Sequence, residues 1–153
     1  GKLFDTISVC LSKGLGAPIG SVLLADKKTI HRALRIRKIF GGGMRQVGYL
    51  AAAGIYALDH NIERLAEDHR RAKELAAVLQ SKYWVASVEP VETNILIFTL
   101  TPQVNESQLI EKLKQKNILI SSMGQGKLRM VSHLDYREVM HTYVIETLEK
   151  LAI

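Results

Sequence analysis

Apolar and polar residues alternate over residues 5–12, a period of two that is typical of a β-strand. Residues 21–25 form a short apolar run, which predicts a second strand, fully buried in the fold. The segment between these two runs is rich in glycine. Lys13 is therefore expected at the end of the first strand, on a turn that leads into the second.

A period of three to four residues predicts helices over the next part of the chain. The first covers residues 27–38, and the second begins at Met44, directly after three consecutive glycines. Small residues along the second helix, including Gly54, favour close packing against another element. Asn61 is predicted to be the N-cap of a third helix, which carries an apolar stripe.

Beyond residue 82 the pattern becomes extended. Strands are predicted over residues 84–88, 93–100, 118–121 and 127–132. The second of these is apolar on both faces, so we expect it inside a covered sheet. Two more helices are predicted from the capping pairs Asn105 with Gln108 and Asp135 with Glu138. Together the elements predict an α/β protein whose C-terminal part is an α+β layer.

The composition indicates a folded, soluble chain with a local excess of positive charge. Hydrophobic residues make up 47% of the 153 residues, and no apolar run approaches the roughly 20 residues of a membrane span. The net charge is +6, and residues 27–38 contain six Lys or Arg and no acidic residue. A solvated helix face is the expected explanation of Lys27, Lys28 and Arg32. Nucleic-acid binding is not favoured, because no aromatic residues are interleaved with the basic ones.

Cysteine and histidine give no indication of a metal site. Cys10 is the single cysteine, which excludes an intrachain disulfide and makes a reducing cytoplasm the expected location. No signal-peptide pattern opens the chain. The five histidines show no metal-ligand spacing, and no G-x-S-x-G motif indicates a serine hydrolase.

Lys13 is the first candidate for chemistry. A lysine held at a rigid strand end in apolar surroundings loses hydration, so its pKa falls and the free amine becomes nucleophilic. Such an amine can form a Schiff base with an aldehyde cofactor. The alternative is that the glycines only shape a connection and that Lys13 points into water. The spacing by itself favours this alternative.

A second candidate is an anion site at the three glycines. Gly41, Gly42 and Gly43 ahead of a helix would leave backbone N–H groups free at the positive end of its dipole. Lys38 precedes them and Arg45 follows, which suits a phosphate. The alternative is that the glycines merely permit a sharp turn.

The third candidate, Arg129, stands in a predicted strand that should be partly buried. A guanidinium is costly to bury unless a carboxylate or phosphate meets it. Binding of an anionic ligand is one interpretation of this position. An internal salt bridge to Glu89 or Glu92 is the other.

Several motifs, taken in order, resemble a single family. They are residues 10–21 (CLSKGLGAPIGS), 37–46 (RKIFGGGMRQ), 51–55 (AAAGI), 64–69 (RLAEDH) and 129–135 (RMVSHLD). The chain resembles the low-specificity L-threonine aldolases, pyridoxal-phosphate enzymes of the aspartate-aminotransferase-like fold (fold type I). The resemblance covers nearly the whole chain and implies the C-terminal half of such an enzyme. It places the end of a large cofactor domain in residues 1–60 and a small domain in residues 61–153.

The resemblance also implies roles for the candidate residues. Lys13 would hold pyridoxal phosphate through a Schiff base, and Arg129 would bind the α-carboxylate of the substrate. The residues implied at the cofactor phosphate of a neighbouring subunit are Lys38, Gly42, Gly43 and Arg45. A site shared in this way implies a homo-oligomer, either a dimer or a tetramer.

The implied reaction is the cleavage of L-threonine or L-allo-threonine to glycine and acetaldehyde. The groups that stack on the cofactor ring, pair with its nitrogen and deprotonate the β-hydroxyl are expected upstream, in a missing N-terminal half. The chain alone is therefore expected to be inactive. Two alternatives stay open: another fold-type-I enzyme, such as an aminotransferase or a β-eliminating lyase, and a non-catalytic fragment that keeps only assembly surfaces.

Overall fold

The computed structural model describes all 153 residues. Its six strands are β1 Thr6–Cys10, β2 Ser21–Ala25, β3 Val85–Val88, β4 Ile95–Leu100, β5 Ser121–Gly124 and β6 Lys127–Val131. Its five helices are α1 Lys27–Ile39, α2 Gly48–His60, α3 Leu65–Gln80, α4 Glu106–Lys114 and α5 Glu138–Lys150. This mixture confirms the predicted α/β class.

The chain divides into two compact units, Gly1–Arg64 and Leu65–Ile153, which we call unit 1 and unit 2. The boundary predicted from the sequence lies at residue 60. The assignment of the two parts to a large cofactor domain and a small domain stays a prediction.

Unit 1 is built on the antiparallel pair β1 and β2, in which Thr6 lies opposite Ala25 and Cys10 lies opposite Ser21. The predicted burial of β2 is wrong for this chain, since four of its five residues are exposed. A pair of strands has two faces and no other strand to extend it, so the apolar side chains of β2 stay in contact with water.

The helix α1 follows β2 and confirms the helix predicted over residues 27–38. Asp26 is its N-cap. The carboxylate of Asp26 accepts a hydrogen bond from the backbone N–H of Thr29 at 2.6 Å, which lowers the pKa of Asp26. No residue of α1 is buried, so its whole basic cluster is accessible.

The helix α2 begins later than predicted, at Gly48 rather than Met44. Gln46 lies just before it with a φ of 50°, through which a right-handed helix cannot continue. Asn61 is the C-cap of α2 rather than the N-cap of α3, so that prediction is wrong. Its side-chain amide instead bonds back to the segment between β1 and β2.

Unit 2 contains one antiparallel sheet of four strands in the order β3-β4-β6-β5. Alternate residues of β4 and β6 point to one face, where they form a hydrophobic core with α3, α4 and α5. The sheet contributes Leu96, Phe98, Leu100, Leu128 and Met130 to this core. Trp84 joins it edge-on to Phe98, with the ring centroids 6.4 Å apart.

The strands predicted over residues 84–88, 93–100 and 127–132 are confirmed in type, with shorter bounds. The strand predicted over residues 118–121 begins only at Ser121, after Ile118 has packed into the core. The expectation that β4 is covered on both faces is wrong for this chain. Its second face is accessible, with Ile95 36% exposed.

The two predicted capping pairs of unit 2 have different outcomes. Asn105 is the N-cap of α4, and its side chain accepts the N–H of Gln108 at 3.1 Å, which confirms the first pair. The second is wrong, because α5 starts at Glu138 after Arg137 and has no side-chain cap. None of the five helices combines the length and the apolar character that a bilayer crossing requires.

Polar side chains connect α3 with α5. The guanidinium of Arg70 bonds Glu74 at 2.8 Å and Glu138 at 2.7 Å. His141 is 2% exposed, and its ring lies 2.8 Å from a carboxylate oxygen of Glu74 and 3.2 Å from the hydroxyl of Tyr136. Burial raises the pKa of Tyr136 to about 12. His141 is therefore buried with both of its ring nitrogens within hydrogen-bond distance of a polar partner.

Candidate functional site

Lys13 lies in the connection between β1 and β2, which is held by its own backbone. The N–H of Leu11 donates to Gly20 at 2.9 Å, and the N–H of Ala17 donates to Leu11 at 3.0 Å. The N–H of Gly16 donates to the carbonyl of Lys13 at 2.9 Å and closes a tight turn. Gly16 has a φ of 74°, which residues with a Cβ rarely adopt. These bonds fix the backbone at Lys13.

Residues that follow α2 hold the same turn from outside. The side-chain amide of Asn61 donates to the carbonyl of Leu15 at 2.7 Å. The guanidinium of Arg64 donates to the carbonyl of Gly14 at 2.9 Å. Sequence reasoning missed both roles, because Asn61 was interpreted as a helix cap and Arg64 only as part of a family motif. The sequence carries no local signal for these contacts, because they join residues 46 and 50 positions apart.

The helix α2 packs closely on this turn. A Cβ on Gly54 would come within 3.1 Å of Leu11 Cδ1, which is tighter than most real contacts of this kind. Gly54 and Ala57 are the buried residues of α2. The close approach predicted from the small residues of α2 is thus confirmed at Gly54.

The amine of Lys13 is exposed and has no hydrogen-bond or ion-pair partner within the chain. The apolar surroundings expected from the sequence are therefore not provided by these residues. Nearby, the hydroxyl of Ser12 lies 3.5 Å from Cys10 Sγ. This hydrogen bond, with a smaller contribution from the charge of Lys13, lowers the pKa of the Cys10 thiol. The turn presents a free primary amine on a fixed backbone, where a carbonyl carbon can reach it.

The three glycines end α1 rather than begin α2. The N–H of Gly42 donates to the carbonyl of Arg37 at 2.8 Å, and the N–H of Gly41 donates to that of Lys38 at 3.2 Å. With Gly41 at a φ of 78°, these bonds form a Schellman C-cap. The expectation of free N–H groups at a positive helix end is therefore wrong for Gly41 and Gly42. Gly43 alone of the three keeps an unbonded N–H.

Lys38 is held by the backbone that passes over it. A Cβ on Gly43 would lie 2.8 Å from Lys38 Cδ, and one on Gly42 would lie 3.0 Å from Arg37 Cγ. Only glycine lets the chain pass this close to the last turn of α1. Lys38 and Arg45 are both exposed, and neither pairs with an acidic residue. The segment from Lys38 to Arg45 therefore has an unpaired cationic side chain at each end.

Arg129 lies on the open face of the sheet in unit 2. Its neighbours Leu128 and Met130 point into the core, so Arg129 points to the other face, where it is exposed. The predicted partial burial is wrong for this chain. Glu89 pairs with Lys127 at 2.8 Å, and Arg129 has no acidic partner. The internal salt bridge considered as its alternative role does not form.

The candidate residues thus fall in both units. Unit 1 holds Lys13, Lys38, Gly42, Gly43 and Arg45, of which Lys38 and Gly43 lie close together, and unit 2 holds Arg129. No group of three or more His, Cys, Asp or Glu side chains is placed to hold a metal ion. An amine, two cations and a guanidinium suit an aldehyde, a phosphate and a carboxylate.

Comparison with known proteins relates the chain to one family. A protein-family model described as beta-eliminating lyase matches residues 1–102. Low specificity L-threonine aldolase of Escherichia coli (strain K12) is 47% identical over 131 residues. Low-specificity L-threonine aldolase 1 of Arabidopsis thaliana is 40% identical over 135 residues. Each alignment covers 86% of this chain and 38% of the relative, so the chain spans well under half the length of these relatives.

A solved structure from Listeria monocytogenes has the same fold. It superposes with a TM-score of 0.75 at 20% sequence identity, covering 97% of this chain and 45% of that one. At this level of identity the likeness concerns the fold alone. It agrees with the arrangement of strands and helices described above.

Proposed function

Because the chain belongs to the beta-eliminating lyase family, we propose that it is the C-terminal part of a pyridoxal-phosphate-dependent aldolase. The substrates are β-hydroxy-α-amino acids such as L-threonine and L-allo-threonine, and the products are glycine and acetaldehyde. Two kinds of observation support this. The curated relatives are named L-threonine aldolases, and the chain carries free groups that match an aldehyde, a phosphate and a carboxylate.

The observation that carries the proposal is the free amine of Lys13 on a backbone fixed by hydrogen bonds. A primary amine is the group that bonds an aldehyde carbon. When bound, pyridoxal phosphate supplies an electron sink for the bond that breaks at the substrate Cα. Once the substrate amine has displaced it, Lys13 Nζ can deliver a proton to Cα after the Cα–Cβ bond has broken, which balances the proton that the β-hydroxyl loses. We further propose that the assembled enzyme, rather than this chain, removes water from Lys13.

Lys38 and Arg45 supply the positive charge for the cofactor phosphate. Both side chains are exposed without acidic partners, and charged N–H donors form strong bonds to phosphate oxygens. The N–H of Gly42 is already bonded to Arg37, so Gly42 contributes through the end of α1 that it closes, and Gly43 contributes through its unbonded N–H and its close approach to Lys38. The residues therefore fit the phosphate through side chains more than through the glycine amides.

The phosphate site lies, in this proposal, between subunits of a homo-oligomer. Ile39 and Phe40 follow Lys38 directly and are 69% and 85% exposed. Large apolar side chains left in water beside unpaired cations are typical of a surface that another protein surface covers. A second subunit would cover the apolar pair and bring its own cofactor phosphate to Lys38. A dimer is the smallest assembly that satisfies this arrangement, and a tetramer contains it too.

Arg129 binds the α-carboxylate of the substrate. Its guanidinium has no partner in the chain and lies on an open sheet face, where a carboxylate can meet two of its N–H groups at once. Two parallel hydrogen bonds fix the plane of the carboxylate, and thereby the direction of the Cα–Cβ bond. The role of Arg129 is to orient the bond that breaks.

The remaining assignments follow from the same proposal. Unit 1 is the end of the cofactor domain and unit 2 is the small domain. The enzyme acts in the cytoplasm, where a lone thiol such as Cys10 stays reduced.

The test replaces Lys13 in the complete enzyme. Lys13→Ala should abolish the visible absorbance of the bound cofactor, because no imine can form with alanine. Borohydride reduction of the unmodified enzyme should attach the cofactor to the peptide that contains Lys13, as peptide mapping would show. Lys27→Ala, a change of another exposed lysine in unit 1, is the matched control and should keep the absorbance. Labelling of a different peptide would contradict the proposal.

The family model favours a second candidate, β-elimination. Elimination from a hydroxy amino acid releases ammonia and a keto acid, whereas aldol cleavage releases glycine and an aldehyde. An assay of L-threonine with the complete enzyme distinguishes the two by their products. Formation of glycine and aldehyde in a one-to-one ratio supports the aldolase activity. A keto acid as the main product would instead show that the enzyme is a β-eliminating lyase.

A further inference from the structure

The uncovered face of the sheet in unit 2 has an ordered set of side chains around Arg129. The strand register places Ile97 of β4 opposite Arg129 on one side and Ser121 of β5 opposite it on the other. Residues directly opposite in neighbouring strands share a face, with Cβ atoms about 4.5–5.5 Å apart. Arg129 therefore has an apolar neighbour on one side and a hydroxyl on the other.

Both polar groups of this pair are unused inside the chain. The guanidinium of Arg129 and the hydroxyl of Ser121 are exposed and make no side-chain hydrogen bond. The next serine along β5 differs, because Ser122 accepts the N–H of Gly124 at 3.0 Å. Lys127, the other cation of β6, is paired with Glu89. On β5 and β6, Arg129 and Ser121 are therefore the neighbouring pair of polar side chains that can bind an anion.

The register also separates Ser121 from Ser122. Ser122 lies opposite Leu128, which points into the core. Since side chains alternate along a strand, Ser122 lies toward the opposite face from Ser121. An anion bound at Arg129 can meet the first hydroxyl and not the second.

We propose that Ser121 is a second ligand of the substrate α-carboxylate, beside Arg129. A carboxylate has two oxygens and about four acceptor positions, of which a bidentate guanidinium uses two. A hydroxyl from the edge strand β5 can donate to a third position. It therefore adds to the affinity for the carboxylate a hydrogen bond that the guanidinium does not supply. This inference rests on the proposed function, because it takes Arg129 to be the carboxylate site.

The experiment measures binding of glycine, the reaction product, to the complete enzyme loaded with pyridoxal phosphate. Ser121→Ala should weaken glycine binding about tenfold, the lower end of the effect of one hydrogen bond to a charged group. Steady-state assays with L-threonine should show the loss mainly in KM, with kcat nearly unchanged. Ser121→Thr keeps the hydroxyl on a residue that suits a strand, so it should restore most of the affinity.

Ser122→Ala is the matched control and should bind glycine as the unmodified enzyme does. Thermal melting of the serine variants checks that the sheet is intact. Equal binding by Ser121→Ala and the unmodified enzyme, together with weak binding by Arg129→Ala, would overturn the role of Ser121 and leave that of Arg129. Unchanged binding by Arg129→Ala would instead contradict the assignment of Arg129 to the substrate carboxylate, and with it the role of Ser121.

Discussion

The two units of this chain differ in where their apolar side chains lie. In unit 2 the side chains of Trp84 and Leu128 are fully buried, and they belong to a core that joins the sheet with three helices. In unit 1 the buried apolar residues are Leu11, Leu15, Ala17 and Ala57. Most of the large apolar side chains that are exposed in this chain also lie in unit 1, including Phe40 at 85%. Unit 2 has a core of its own, and unit 1 has one only around the Lys13 turn.

Charge divides the chain in the same way. Residues 1–64 contain ten Lys or Arg and four Asp or Glu, whereas residues 65–153 contain eleven of each. The whole net charge of +6 therefore belongs to unit 1. Unit 1 also carries the amine and the two cations assigned to the cofactor.

This difference separates two tasks. Unit 2 folds around its own residues and offers one oriented guanidinium. Unit 1 fixes the Lys13 turn with backbone and side-chain hydrogen bonds, and it leaves most of its large apolar side chains exposed.

The largest expected effect appears when the units are separated. A fragment of residues 65–153 should unfold cooperatively in urea, because it contains the complete core of unit 2. A fragment of residues 1–64 should show no cooperative transition, because few of its apolar side chains are buried. Circular dichroism during urea titration measures both. A sharp transition in residues 1–64 would show that unit 1 is stable without other protein surfaces.

The next effect comes from shortening one leucine in each unit. Leu128 is 0% exposed and Leu24 is 51% exposed. In the complete enzyme, Leu128→Ala should lower the free energy of unfolding by about 3 kcal/mol, through lost burial and a cavity. In residues 65–153 alone its cost should be similar, since the core is internal to unit 2.

Leu24→Ala serves as the opposite case. If Leu24 stayed in water in the complete enzyme, its replacement would change the free energy of unfolding by about 0.5 kcal/mol or less. A loss similar to that of Leu128→Ala would mean that other protein covers β2. Either outcome, measured by urea unfolding, sharpens the contrast between the units.

The sequence predicted the elements of unit 2 better than those of unit 1. In unit 2 the apolar residues of β6 alternate with charged ones and point into a core that lies within the chain, so local pattern and final burial agree there. In unit 1 the apolar run of β2 predicts burial that this chain does not supply. The strand pattern and the family motifs identified Lys13 and Arg129 as candidates, but their exposure depends on which surfaces are present.

The three consecutive glycines show a second limit of prediction from the sequence. Three glycines before a helical pattern looked like the start of a helix, whereas Gly41 at a φ of 78° closes the previous one. A Schellman cap and a helix start both require glycine, and only the positions of the hydrogen-bonded carbonyls distinguish them. The contacts of Asn61 and Arg64 with the Lys13 turn were not predictable either, because they join residues far apart in sequence.

A smaller effect is expected from the backbone of unit 1. Gly41→Ala should destabilise the end of α1 by about 1 kcal/mol, because an alanine in the left-handed region is strained even though no neighbour lies within 4 Å. Hydrogen exchange of the Gly42 amide, which bonds Arg37, should then be about fivefold faster. Gly48→Ala is the control: its Cβ also meets open space, and its φ is not positive. Equal exchange in both variants would contradict the strained cap.

The smallest effect concerns acid. Hydrogen bonds from Arg70 hold the pKa values of Glu74 and Glu138 below their ordinary value of 4.5. A carboxyl group with a lowered pKa stabilises the fold above its unfolded pKa, and this contribution is lost as the pH falls through the folded pKa. The free energy of unfolding of residues 65–153 should therefore decrease as the pH drops below about 4.5. The decrease should be modest, because these side chains are largely in water.

Replacing Glu74 tests whether this carboxyl group causes the loss of stability in acid. Glu74→Gln removes the negative charge that faces Arg70 and the buried His141 and replaces one acceptor oxygen with an NH2 group, so residues 65–153 should lose stability at neutral pH and show a shallower decrease in acid. Glu146→Gln is the matched control, since that carboxylate meets only Lys150, at 3.5 Å, on an exposed helix face. Urea unfolding at a series of pH values measures both slopes. Identical slopes for the two variants would mean that Glu74 contributes nothing to the acid sensitivity of unit 2.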